Sequence, residues 1–560
     1  MMASHTIQKG LHIAIVGYGS SCLMLLKSIQ DLPEELRQGW RVTVFERRED
    51  LGGQWLPDDT IQDPRSSIAL TGLYPLLRTN TPVHMMTFPH APFPDHTDLF
   101  PHWTVVLDYL RDYAQKWGLY DSDEEDWSSA SSCSPSTSTF PKDDLPPLKF
   151  TSTEGNKARK QLPRRILCGR EVHSATWVGS TQAGQGGHWK VVSKPFPRSA
   201  GDAAEYQDTF DVIIDGTGHL VHPSIPHWKG EEEWLHAKPG RQIMHSAFYR
   251  GPAAFKDKTV VVIGAGPSGL DGSLQIGRTA KKVYHSVTPT VVLPPTWPFE
   301  RKDRISHFTE DGLIFNDGSE LSDVDVVYLG TGFIIRYEYL ERGGILQRRP
   351  GQSLPEPEDE TWPGIVSTDL YLRPLYEHTI SFADEHGPAS LFWCGNIMST
   401  SYRFSNAVQG ALIAWSLALP SILPDKAEML ESMKADEART RELGRIVEKV
   451  GHRQGAPHLG ESEVYQRRIV AFLESKGIEV GNSERKEGVV MEPWREEVRK
   501  DFWQCMRSWS RLEKEGRAQE LLKLAKGEEG YAELSRLVIA EQKIVEKDRD
   551  PLESEISGWD

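Results

Sequence analysis

In the run Gly17-Tyr18-Gly19-Ser20-Ser21-Cys22, small residues recur where bulk would keep an anion from backbone N–H groups. Gly17 permits a tight turn, and Gly19 lets the backbone come close to a phosphate. Cys22 stands at the third glycine position, where helix and strand pack closely. Ser21, inside the same run, is counted with the binding residues. Glu46 follows about 24 residues later. A carboxylate there can accept from both hydroxyls of a ribose. The chemistry implied is dinucleotide binding.

A second run, Gly264-Ala265-Gly266-Pro267-Ser268-Gly269, carries all three glycines. Gly264, Gly266, Ser268 and Gly269 are its candidate binding residues. No Asp or Glu stands at the ribose position after the next apolar run, Lys282–Ser286. That absence argues against NAD, whose 2′-hydroxyl wants a carboxylate. Arg278, Lys281, Lys282 and Arg301 are the nearby cations that could meet a 2′-phosphate. Between the two runs, Leu51-Gly52-Gly53-Gln54-Trp55 could pass tightly beside a bound nucleotide, with Trp55 covering a ring.

The elements that must position these residues are strand–turn–helix units. Leu11–Val16 and Thr259–Ile263 are continuous apolar runs, read as buried parallel strands. Each leads into its glycine run and then a helical pattern. Phe210–Asp215 reads as another buried strand, Arg41–Phe45 and Val324–Leu329 as further strands, and Ser390–Trp393 leads into Cys394-Gly395-Asn396. Arg165–Trp177 and Trp189–Ser193 read as strands of a meander. Residues 60–120 read as short helices and loops. Residues 121–146 are acidic, then Ser/Thr/Pro-rich, and predict a disordered insertion that lacks the apolar residues to order it. In the tail, Trp494, Val498, Phe502, Cys505, Met506, Trp509 and Leu512 fall on one helical stripe.

A chain of 560 residues is too long for one core, so two or three domains are expected. The net charge of −16 argues against a nucleic-acid binder. The N-terminus, MMASHTIQKGLHIAIVG, has no signal-peptide pattern, and no apolar run reaches the length of a membrane span. A soluble, cytoplasmic protein is expected. The five cysteines are scattered with no CxxC pair, which reads as a reducing compartment without a zinc site.

Taken in order, the motifs from about Ile13 to Trp415 resemble those of the flavin-containing monooxygenase family, the class B flavoprotein monooxygenases. They are the first glycine run, GGQW at Gly52–Trp55 and LRTNTPVHMMTFPHAPFP at Leu77–Pro94. DGTGHL at Asp215–Leu220, HSAFYRGP at His245–Pro252 and the second glycine run follow. LGTGF at Leu329–Phe333 and the stretch from Cys394-Gly-Asn396 to AVQGALIAW at Ala407–Trp415 complete the set. The resemblance implies an α/β fold of two Rossmann-like domains plus a helical C-terminal extension. An FAD domain (1–239 and 331–420, with an insertion over 121–164) is split by an NADPH domain (240–330), and 421–560 is the extension. It implies that NADPH reduces FAD, that O2 adds at flavin C4a, and that the hydroperoxide oxygenates a nucleophilic N or S of a small substrate. Asn80 matches the family's active-site asparagine. Gly53, Gln54, Trp55, Thr79 and Gln409 join Gly17, Gly19, Ser21 and Glu46 as expected cofactor contacts.

The chain also departs from the pattern. Gly240 and His245 have four residues between them where the family has three, and Lys238 replaces an aromatic residue. The family arginine that meets the 2′-phosphate is missing from His285-Ser286-Val287-Thr288. The tail has no counterpart in the pattern and is read as a packed helical subdomain or a homo-oligomer contact. Two alternatives remain: Baeyer–Villiger oxygenation of a ketone, and a flavin-fold regulatory or scaffold protein without turnover.

Overall fold

The structure is a computed structural model. It describes residues 8–58, 60, 63–89, 91–120, 162–182, 186–196, 204–291, 293, 297–352, 354, 364–398, 401–453, 460–479 and 491–547. The segment 121–146 falls outside these residues, as does most of the insertion expected over 121–164. Arg164 already opens a strand.

The chain forms two compact units. One comprises Met1–Gly53, Thr81–Gly218 and Arg336–Ile539; the other comprises Gln54–Asn80, His219–Ile335 and Ala540–Asp560. The boundaries expected at 239/240 and 330/331 thus fall at Gly218/His219 and Ile335/Arg336. Residues 54–80, expected in the first unit, belong to the second.

The first unit is built on a seven-stranded sheet, in the order Leu375–Tyr376, Ile380–Ser381, Leu391–Trp393, Val212–Asp215, His12–Val16, Arg41–Phe45, Arg164–Leu167. The last five strands run parallel, and the first two form an antiparallel hairpin at the edge. In His12–Val16 and Val212–Asp215 valine and isoleucine predominate and nearly every residue is buried, as in helix-covered strands. The helices Ser20–Asp31 and Tyr402–Ala418 cross closely at Gly410. A Cβ there would lie 2.7 Å from Ser28 Oγ and 3.4 Å from Leu25 Cα. Among residues 60–120, Trp103–Lys116 is a full 14-residue helix rather than a short one.

Two strands expected as single runs are broken. Arg165–Trp177 divides at Gly169, whose φ of +67° turns the chain. Arg164–Leu167 stays in the parallel sheet, while Arg170–Gly179 forms the meander with Gly187–Pro195 and Tyr206–Phe210. Phe210–Asp215 divides at Asp211, whose carboxylate accepts from His12 N–H at 2.7 Å. The periodicity of the apolar residues does not register either break, because each flanking segment is itself strand-like. The reading of the cysteines also needs correction. Cys168 is disulfide-bonded, so scattered spacing gave no evidence about the compartment. Cys22, Cys394 and Cys505 are buried free thiols.

The tail up to Ile539 is part of the first unit. Its helices Lys426–Glu442 and Glu461–Ser475 are tied by polar contacts to the strand Leu372–Arg373 and to Glu377 in the turn of the sheet-edge hairpin. Arg373 pairs with Glu437 at 3.0 Å, and Arg468 bridges Glu377 and Asp436, each at 2.7 Å. Trp509 Nε1 donates to Asp98, and Tyr531 OH donates to the Thr97 carbonyl. The apolar stripe runs over two helices, Pro493–Lys500 and Phe502–Lys514, that break at Asp501. Val498, Cys505, Trp509 and Leu512 of the stripe are buried within the unit. Those four side chains are core, while Trp494, Phe502 and Met506 are half-buried.

The second unit carries a five-stranded parallel sheet, in the order Glu300–Lys302, Lys282–Ser286, Thr259–Ile263, Val326–Leu329, Gln242–His245. One face packs Trp234, Ile243, Val261, Phe308 and Leu329; the other packs Tyr249, Phe255, Val260, Ile276 and Tyr328.

Candidate functional site

Open parallel sheets bind ligands beyond the carboxyl ends of their strands, where the strand order reverses. In the first unit that point lies between His12–Val16 and Val212–Asp215. Gly17, Glu46, Gly216 and Cys394-Gly395 all follow strands that end there.

Gly17 has φ +101°, and a Cβ on it would lie 2.7 Å from the Gly216 carbonyl oxygen. Its N–H is held by Phe45 O at 2.7 Å. Gly19 and Gly53 face each other backbone to backbone: a Cβ on Gly53 would sit 3.1 Å from Gly19 Cα. The glycines of GGQW let the chain pass against the glycine run itself, and Gly53 is needed for that approach. Cys22 is fully buried, with its Cβ 4.0 Å from where Gly216 would carry one. The first helix therefore stands far enough off to admit a thiol at the third glycine position.

Glu46 is buried, and its two oxygens accept from the N–H groups of Tyr18 and Arg48, both at 2.8 Å. These bonds fix the carboxylate at the strand end and leave each oxygen a lone pair for a ribose hydroxyl. Ser21 is buried against Gly395, whose added Cβ would meet Ser21 Oγ at 2.8 Å. Gln409 is 0 % exposed, and its amide bonds Gly395 N–H, Thr379 Oγ1 and Tyr465 OH. It positions the Gly395 turn and joins it to the tail.

Gln54, Trp55, Thr79 and Asn80 lie in the second unit. Gln54 and Asn80 are exposed, Trp55 is half-buried and Thr79 is buried. The chain leaves the first unit after Gly53 and returns after Asn80.

Asp215 was visible in DGTGHL but carried no assigned role. It is buried, and its carboxylate accepts from Thr217 N–H at 3.2 Å, Thr217 Oγ1 at 3.0 Å and Tyr339 OH at 3.0 Å. Burial outweighs these bonds and pushes its pKa up to about 7. Raising a carboxyl pKa on folding means the group favours the fold most at low pH. That contribution is lost as pH rises through about 7. Asp215→Asn keeps the Thr217 acceptor and cannot ionise. The variant should melt a few degrees higher than the parent at pH 8.5 and no higher at pH 5. Equal melting curves at both pH values would contradict this account.

The second unit's sheet reverses between Thr259–Ile263 and Val326–Leu329. Gly264 has φ +94°, with its would-be Cβ 2.5 Å from Gly330 O, and Gly269 would clash with Gly264 O at 1.9 Å. Both positions admit glycine alone. A Cβ on Gly266 would meet nothing within 4 Å, so the approach to the first turn of helix Pro267–Ile276 is open. Ser268 is half-buried in that turn. His245 is fully buried, its Nε2–H donating to Gly332 O (2.9 Å) and its Nδ1 accepting from Ala247 N–H (3.1 Å). Burial pushes its pKa down to about 4, so it is a neutral structural residue. Among the described residues, no His/Cys/Asp/Glu cluster could hold a metal, and no helix is long and apolar enough to cross a membrane.

Both cradles have glycine clearances of the kind a pyrophosphate requires, and the first also has a buried carboxylate at its second strand end. Comparison with known proteins points the same way. The family described as Flavin-binding monooxygenase-like matches residues 10–122 and 174–293. Senecionine N-oxygenase of Tyria jacobaeae is 24% identical over 376 residues, covering 66% of this chain and 64% of that protein. Flavin-containing monooxygenase FMO GS-OX5 of Arabidopsis thaliana is 25% identical over 474 residues, covering 81% of this chain and 84% of that protein. The solved structure of S-allyl-L-cysteine S-oxygenase from Allium sativum superposes with a TM-score of 0.62 at 22% identity. That match covers 96% of this chain and 99% of the other, so most of residues 421–560 belongs to a shared fold. The expectation of an extension without counterpart is overturned.

Proposed function

Because this chain belongs to the flavin-containing monooxygenase family, we propose that it oxygenates a nucleophilic nitrogen or sulfur of a small organic substrate. Proteins of this family bind FAD and depend on NADPH. FAD is assigned to the cradle of Gly17, Gly19, Ser21, Glu46 and Gly53, and NADPH to that of Gly264, Gly266, Ser268 and Gly269. In balance, substrate, O2, NADPH and a proton give the oxide, NADP and water. When bound, the flavin supplies the activation of O2 with electrons from NADPH.

The protein's own residues bind and orient. Glu46 holds a ribose. The backbone freed by Gly17 and Gly19 receives one pyrophosphate, and the open turn at Gly266 receives the other. Gln409 and Ser21 fix the Gly395 turn at the strand ends. Asn80 is the proposed donor to the oxygen being transferred; an amide gives a hydrogen bond without an acidic proton. The observation that carries this reading is the pair of glycine cradles, each at the reversal point of its own parallel sheet. The N/S preference draws support from the N-oxygenase and S-oxygenase named among the relatives.

Substrate-dependent NADPH consumption that yields an amine or sulfide oxide would support the proposal. Ester formation from a ketone, with no oxide from any amine or sulfide, would refute it. Asn80→Ala should retain FAD yet lose about 100-fold in oxide formation, the usual cost of removing one preorganised donor. The paired assay is product against hydrogen peroxide. An unchanged product rate would remove Asn80 from the mechanism.

A further inference from the structure

The second cradle, read as an NADPH site, lacks the arginine expected after Lys282–Ser286. A 2′-phosphate carries extra negative charge to that place, beyond the carboxyl end of the second strand of the unit. Four cations were candidates, and the geometry separates them.

Lys281 and Lys282 stand at the opposite, amino end of the strand. Lys281 pairs with Asp323 at 3.2 Å and Lys282 with Glu300 at 3.0 Å. Arg278 follows the C-terminus of helix Pro267–Ile276, about 15 Å of helix away from the turn that receives phosphates. Arg301 is different. It sits on the neighbouring strand Glu300–Lys302, which pairs in parallel so that Arg301 is level with His285 and Lys302 with Ser286. Its Nη2 donates to the Thr288 carbonyl at 2.7 Å, so the guanidinium lies over the loop where the family arginine would be. Glu300 takes Lys302 at 3.0 Å as well as Lys282. Arg301 has no ion pair among the described residues, and it is exposed.

We propose that Arg301, reaching across from the adjacent strand, is the residue that recognises the 2′-phosphate of NADPH and sets the preference over NADH. This rests on the assignment of a nicotinamide dinucleotide to the second cradle. The guanidinium keeps donors free beyond the one on Thr288, so it can hold the loop and meet a phosphate together.

The bland alternative is that Arg301 only caps the turn from Thr288 to Val291, whose N–H also bonds Thr288 O at 2.9 Å. A cap would affect both dinucleotides equally. The test is calorimetric titration of the flavin-loaded protein with NADP+ and with NAD+. Arg301→Ala should weaken NADP+ about tenfold, the low end for an exposed charge-assisted contact. NAD+ affinity should be unchanged, Arg301→Lys should recover part of the loss, and Lys282→Ala should behave as the parent. Undiminished NADP+ binding in Arg301→Ala, or equal loss of both ligands, overturns the assignment. If the parent protein binds neither dinucleotide, the cradle reading fails and this inference with it. If the parent binds NADP+ tightly and Arg301→Ala does too, only the inference fails.

Discussion

Glu437→Ala is expected to destabilise the first unit by about 3–5 kcal/mol, the cost of leaving a buried charge without its partner. Arg373 and Glu437 are 2% and 3% exposed. Arg373 Nη1 reaches both carboxylate oxygens, at 3.0 and 3.2 Å, and Tyr371 OH donates to the same group at 3.1 Å. Removing the carboxylate takes the ion-pair partner from a buried guanidinium in the strand Leu372–Arg373. Glu437→Gln keeps the shape and an acceptor, so it should cost less. Denaturant unfolding followed by tryptophan fluorescence measures both. An unfolding midpoint for Glu437→Ala equal to the parent's would mean that the tail is not clamped to the sheet as described.

Gly17→Ala is expected to yield protein depleted of flavin and less stable by about 2 kcal/mol or more. The residue has φ +101°, and the added Cβ would lie 2.7 Å from Gly216 O and 2.9 Å from Gly216 C. Both neighbours are backbone, so no side chain can swing aside. The turn must open, and the phosphate site opens with it. Gly266→Ala is the informative contrast. Nothing lies within 4 Å of its would-be Cβ, so folding and flavin content should match the parent while NADP+ binding falls. The ratio of flavin to protein absorbance, a melting curve and a titration distinguish the two. Flavin retention in Gly17→Ala would contradict the placement of the first nucleotide.

The two glycine runs were legible because their constraint is local. A strand, a turn with φ near +100° and a helix start follow one another within a dozen residues. The clearances then explain what the sequence left ambiguous. Cys22 is tolerated because its helix stands off, whereas Gly269 would meet a carbonyl at 1.9 Å. Less was legible where partners are distant in sequence. The role of Gln409 depends on Gly395, Thr379 and Tyr465, and the tail's attachment depends on Glu437 finding Arg373. No periodicity encodes such pairs. Arg301 shows the same limit: only the strand register brings it beside Thr288. The passage of residues 54–80 into the second unit was hidden because the segment is almost free of regular elements.

The central claim is that the first cradle holds a flavin that the second cradle's dinucleotide reduces. Anaerobic mixing of the purified flavoprotein with NADPH tests it most directly. The account predicts bleaching of the visible flavin absorbance, with the colour returning when O2 is admitted. A flavin that keeps its full absorbance with both NADPH and NADH would contradict it.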